Sequence, residues 1–227
     1  MDSSSKLIFG YWYTRGRGGV IRLLLDYCEV PYENRTYVKR EEWFDKDKFN
    51  LGLDFPNIPY IVDGDVKIAE VNALMNYVPI KGNKKELLGG SDVNQVKVAE
   101  AVSVINDLRA SVRNICFTKG DFYKEINEVI TNGQAKTLLT RFENIFEKKD
   151  WIIGSLTIAD FWLFEQLELI LTIDATKLDA FPNVLKFHKR FLEIPQVKAH
   201  RESDRFSKMW FWPGVNPTWN NTEDEKK

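Results

Sequence analysis

LGLDFPNIPYIVDGDVKIAEVNAL, residues 51–74, is the stretch from which the fold is read. It opens as an extended segment bent at proline, continues as a tight hairpin and ends as the start of a helix. Ile58-Pro59-Tyr60 precedes a short apolar strand at 60–62. A proline removes a ladder donor, so it belongs at the entry of that strand and not inside it. A cis Ile58–Pro59 bond would turn the chain there and leave the N–H and C=O of Ile58 unpaired, open to an extended peptide that pairs as an added strand. Asp63-Gly64-Asp65, between two alternating segments, is a strong hairpin signal. The helix beginning near Val71 and Asn72 points free N–H groups and a positive dipole end toward the same place. A small anionic peptide suits such a site.

Working outward, residues 6–12 read as a strand, and Gly18-Gly19 opens a helix whose Ile21, Leu24, Leu25 and Cys28 share one face. Residues 32–37 form a second strand, 60–62 and 66–68 a third and fourth, and a helix runs on to about Tyr77, where Pro79 and Gly82 stop it. This β-α-β, hairpin, helix order is that of a thioredoxin-like domain, assigned to residues 1–82, with a linker at 83–90. From Asp92 helical periodicity takes over, with helices at 92–117, 122–148, 157–171, 183–192 and 196–206. An all-helical domain is therefore assigned to 91–227. Thr157 and Asp160 make a capping-box-like helix start. Trp210, Trp212 and Trp219 suggest a tail packed on the body, and the last six residues are expected to fray.

The length permits two small domains with a full core. A formal charge of −1 gives no argument for a nucleic-acid partner. No apolar run approaches the roughly 20 residues of a membrane span, and the first five residues lack the features of a signal peptide. The expected setting is the cytoplasm, with Cys28 and Cys116 as reduced thiols. His188 and His200 fall on separate helices without metal-ligand spacing or nearby acidic partners, so no metal is expected. Gly16-Arg17-Gly18-Gly19 lacks the lysine and following Ser or Thr of a phosphate-binding loop.

The quoted stretch is joined by GYW at 10–12, Arg15-Gly16, IRLLLDY at 21–27, Trp43 with Lys48, and LDAFPN at 178–183. Together these pieces, in this order from about residue 7 to about 210, resemble the cytosolic glutathione transferases, most closely the mu class. The resemblance implies an enzyme that joins the glutathione thiolate to small electrophiles. It implies that Tyr11, at the end of the first strand, donates a hydrogen bond to the glutathione sulfur. A thiol of pKa about 8.5 is mostly protonated at neutral pH, and a donor that favours the thiolate supplies the nucleophile. The resemblance further implies that Trp12, Trp43, Lys48, Asn57, Ile58, Glu70 and Val71 hold the peptide, with Trp43 and Lys48 on the glycyl carboxylate. Asp107 would reach the γ-glutamyl amine of the neighbouring subunit's ligand, and Phe55 matches an aromatic key inserted into the partner of a homodimer.

This chain departs from the mu pattern at several positions. Glu70-Val71 replaces Gln-Ser; glutamate can accept from the γ-glutamyl ammonium, but valine removes a hydroxyl from its carboxylate. A lost hydrogen bond to a charged group is worth about 1.5–3 kcal/mol, or about ten- to a hundredfold in affinity. As a helix cap, valine should cost about 1 kcal/mol relative to serine. Arg17, Asn114 and Phe117 would shape the second-substrate pocket, Arg17 favouring anionic or polar co-substrates. Asn76 stands where an arginine stacks across the two-fold axis. The alternative to an enzyme is a weak or inactive transferase-like subunit that serves structural partner proteins in a larger assembly.

Overall fold

The computed structural model describes residues 6–115 and 122–207. Within them the chain divides into two compact units: 6–85 joined by 199–207, and the intervening residues 86–115 and 122–198.

The first unit is built on a mixed four-stranded sheet in the order β2-β1-β3-β4. Strand β1 (Leu7–Trp12) runs parallel to β2 (Tyr32–Tyr37) and antiparallel to β3 (Tyr60–Asp63), which pairs with β4 (Val66–Ala69) across the Gly64-Asp65 turn. Helix α1 (Gly19–Tyr27) crosses from β1 to β2, burying Val20, Ile21, Leu23, Leu24 and Leu25. Each such side chain contributes about 1.5–3 kcal/mol relative to exposure. The Ile58–Pro59 bond is cis. Helix α2 (Val71–Lys81) follows β4. Contrary to the sequence reading, Pro79 does not stop this helix. It lies in the last turn, and Gly82, whose N–H bonds the carbonyl of Val78 (2.9 Å), forms the C-cap.

The second unit is helical: α3 (Asp92–Ile115), α4 (Phe122–Thr131), α5 (Gln134–Phe146), α6 (Ile158–Ile173) and α7 (Pro182–Leu192). Within α8 (Pro195–Glu202) the chain returns to the first unit at Ala199, and α9 (Asp204–Ser207) follows. Helix α6 is buried all round, as expected of a core helix. Phe164 stacks on Phe191 at 4.4 Å and Phe146 on Phe187 at 4.3 Å, while Trp162 donates its indole N–H to Asn106 (2.9 Å).

Two helices read as continuous are broken. The 122–148 helix ends at Thr131 and restarts at Gln134. Apolar periodicity continues across the gap, but Gly133 takes ψ −163°, and a Cβ there would lie 2.9 Å from the Val129 Cα. The 196–206 helix is interrupted at Ser203, whose hydroxyl and N–H both bond the carbonyl of His200. The histidines also differ from the sequence reading, since each has an acidic partner. His188 Nε2 lies 2.6 Å from Glu168, and His200 Nδ1 lies 2.7 Å from Asp26.

Candidate active site

The register of the sheet gathers the candidate residues of the first unit. Gly10 pairs with Tyr60, and Tyr60 with Ala69. The next residues along the three strands, Tyr11, Pro59 with Ile58, and Glu70, therefore share one end of the sheet, where α2 also begins.

Tyr11 is 7% exposed, and its hydroxyl oxygen accepts the backbone N–H of Arg17 (3.1 Å). The turn wraps the phenol closely enough to demand glycine: a Cβ at Gly16 would lie 2.8 Å from Tyr11 Oη, and one at Gly18 would lie 2.4 Å from its ring. The buried Arg22 holds the same turn from within, donating to the carbonyls of Thr14 (2.7 Å) and Trp12 (3.1 Å) and to Asn34 (3.0 Å). With its lone pair engaged by an amide, the phenol keeps its own proton for another acceptor.

Around Ile58 the structure corrects the sequence reading. The Ile58 N–H is not left unpaired; it donates to Oδ1 of Asn57 (2.9 Å), whose Nδ2 donates to the Glu70 carboxylate (2.6 Å). Asn57 thus links the bend to the start of α2. The N-cap of α2 is Glu70, not Val71, and Val71 is the first helical residue, its side chain buried. The cap penalty assigned to valine therefore does not apply there. Glu70 takes φ +74°, ψ +124°, a region that costs a non-glycine residue about 1–3 kcal/mol. The first bond of α2 is Leu74 N–H to the Glu70 carbonyl (3.0 Å), which leaves the N–H groups of Val71, Asn72 and Ala73 outside the ladder.

Trp43 lies in a short π-helical turn at Glu42–Asp47, a feature without a periodicity signal in the sequence. It is 2% exposed, stacked on Tyr60 at 5.7 Å and edge-on to Tyr37. Lys48 closes the turn through its N–H to the Trp43 carbonyl (2.9 Å), with Nζ over Phe44 and Phe49. Trp12 is half-buried against Tyr37 and Phe44. Tyr37 was not singled out from the sequence; its hydroxyl donates to Asp47 (2.6 Å) and meets that of Tyr60 at 2.8 Å. Burial first, and the Asp47 carboxylate second, push the Tyr37 phenol well above its ordinary range, so it stays neutral. Only its β-register, opposite Trp12, places it here.

Arg17 and Phe55 are exposed in the first unit, Phe55 at 79%, and Asn76 is exposed on α2. Asp107 and Asn114 are exposed on α3 of the second unit, and Phe117 lies outside the described residues. The second unit also holds a cavity of about 350 Å³ lined by Ala101, Val104, Phe142 and Ile145 among others. Among the described residues no group of three or more His, Cys, Asp or Glu is placed to hold a metal.

Two family descriptions match the chain: glutathione S-transferase, N-terminal domain, over residues 8–79, and glutathione S-transferase, C-terminal domain, over 106–204. The chain is 36% identical to the glutathione S-transferase class-mu 26 kDa isozyme of Schistosoma japonicum, with 91% of each chain covered. It is 34% identical to glutathione S-transferase Mu 1 of Bos taurus, over 88% of this chain and 92% of that one. Among solved structures it is similar to the glutathione S-transferase Blo t 8, with TM-score 0.80 and 26% identity over 95% of this chain and 99% of that one.

Proposed function

The chain belongs to the glutathione S-transferase family, and from that premise we propose that it conjugates glutathione to small electrophiles with Tyr11 as the thiolate-stabilising group. The observation that carries this reading is the Arg17 N–H on Tyr11 Oη. An accepted hydrogen bond polarises the phenol and strengthens the bond it donates. Aimed at a sulfur, that donor favours thiolate over thiol, and the thiolate attacks the electrophile.

In this reading the tripeptide pairs with the backbone of Ile58, displacing the Asn57 Oδ1 that now satisfies its N–H. Asn57 stays attached to Glu70, and Glu70 accepts from the γ-glutamyl ammonium. The γ-glutamyl carboxylate rests on the open N–H groups at the start of α2, where Val71 offers no hydroxyl. Trp12, Trp43 and Lys48 take the glycyl end. Asp107 acts on the ligand of a neighbouring subunit. Arg17, exposed beside the phenol, favours anionic or polar electrophiles, and Asn114 and Phe117 are proposed to act on the same substrate.

The proposed assembly is a homodimer in which the exposed Phe55 of one copy enters the cavity beside Phe142 and Val104 in the helical unit of the other. The proposed setting is the cytoplasm and the proposed task detoxification; no helix among the described residues is long and apolar enough to cross a membrane. A second reading, a transferase-like structural subunit, is favoured by Val71, buried at the start of α2, together with the exposed Arg17 and Asn76.

Isothermal titration with glutathione separates the two. Micromolar to low-millimolar binding, with thiolate absorbance that disappears in Tyr11→Phe, supports the enzyme. Absence of binding in the wild type, restored by Val71→Ser, supports the structural subunit.

A further inference from the structure

The turn that carries the Tyr11 contact is gripped from a second direction by residues 200–206. Arg15, 3% exposed, lies two residues before Arg17, and its guanidinium sits over the Phe206 ring at 4.1 Å. Phe206 is fixed in turn. Arg201 covers it at 5.0 Å, and His200 meets it edge-on at 5.7 Å. The segment as a whole is tied to α1: His200 Nδ1 lies 2.7 Å from Asp26 Oδ2, and Arg205 pairs with the other oxygen of that carboxylate while lying over Tyr32 at 4.5 Å.

From this we propose that Phe206 and Arg15 are positioning residues for the reaction: the strap at 199–207 sets the turn that holds Tyr11. The proposal rests on the role given to Tyr11 above. Neither residue is a catalytic group; each acts through the Arg17 N–H. That hydrogen bond is 3.1 Å long, and N–H···O bonds weaken steeply once the donor moves by a few tenths of an ångström or tilts. A buried guanidinium that loses its aromatic partner draws in water or shifts, because desolvated cation–π contacts are among the stronger ones. Either response displaces Arg17, and the phenol loses the amide that sharpens it as a donor. The strap thereby reaches the sulfur chemistry without touching the substrate.

The test is the apparent pKa of glutathione bound to the full chain, read from thiolate absorbance, alongside the glutathione Kd. Phe206→Ala is expected to raise that pKa by about half a unit to one unit, a three- to tenfold loss of thiolate on the acid side, with Kd measured below the bound pKa changed less than about twofold. Phe206→Tyr should restore it. Arg15→Lys, which keeps the charge but loses the planar stacking surface, should reproduce the rise even if Phe206→Ala folds poorly. Tyr11→Phe is the control. If it raises the pKa while Phe206→Ala and Arg15→Lys do not, the strap is merely structural and the proposal falls alone. If Tyr11→Phe itself leaves the pKa unchanged, the role of Tyr11 falls and takes the strap's role with it.

Discussion

Helix α6 starts on Thr157 and helix α2 starts on Glu70, and the two starts are built for opposite ends. At α6 the Asp160 carboxylate accepts the N–H of Thr157 (2.8 Å), the hydroxyl of Thr157 (2.9 Å) and the N–H of Ile152 (2.9 Å), all out of contact with water. At α2 the N-cap makes no capping bond, its backbone takes a positive φ, and its carboxylate is turned away to Asn57. One start is closed and satisfied from within; the other keeps open N–H groups at the sheet end that carries Tyr11. A helix end that the sequence could have sealed with a serine is left for something else to complete.

The contrast breaks most sharply at the closed end. Asp160→Ala leaves three buried donors without their acceptor and should destabilise the fold by about 3–5 kcal/mol. A loss under about 1 kcal/mol in urea unfolding would mean that the α6 start is not the anchor described.

The next effect in size is a pH dependence of the same residue. Burial lifts Asp160 from its ordinary 3.8 to about 6, against the pull of its donors. The folded chain therefore binds a proton there more readily than the unfolded one. Stability from this group is fully present below about pH 4 and is lost as pH rises through about 6, amounting to about 3 kcal/mol. Denaturant midpoints for wild type should fall over that window relative to Asp160→Asn, which cannot titrate. Parallel profiles would remove Asp160 as the source.

At the open end, Val71→Ser should tighten glutathione binding by about 1.5–3 kcal/mol, about ten- to a hundredfold, because a hydroxyl joins the amides left outside the helix ladder. Calorimetry that finds the same Kd for both proteins would show the start of α2 complete as it stands. Glu70→Gly should be smallest in stability, within about 1 kcal/mol, since relief of the strained backbone offsets glycine's entropy and the lost Asn57 contact. Its glutathione affinity should nonetheless fall. Equal losses of stability from Glu70→Gly and Asp160→Ala would erase the distinction between the two helix starts.

The sequence made the closed start legible because the signal is local: Thr157 and Asp160 lie three residues apart. The hairpin at Gly64 and the strands at 32–37 and 60–62 were legible for the same reason, as was the helical character of the described residues after Asp92. What escaped was set by distance in the chain or by backbone geometry. The Glu168–His188 pair spans 20 positions and the Asp26–His200 pair spans 174, so neither could be paired by spacing. The break at Gly133 hid under an apolar pattern that runs across it. The Ile58 N–H looked free because nothing in the sequence says that Asn57 folds back on its neighbour. The displaced cap followed from the positive φ of Glu70, which no residue type at that position announces.

The return of the chain at Ala199 has a consequence for synthesis. Asp26 emerges 174 residues before the His200 that binds it, which at about 5–20 residues per second is a delay of about 9–35 seconds. During that interval the sheet and α1 must persist on the ribosome without the strap that steadies the Tyr11 turn. Among the described residues, the unit translated first is the one completed last.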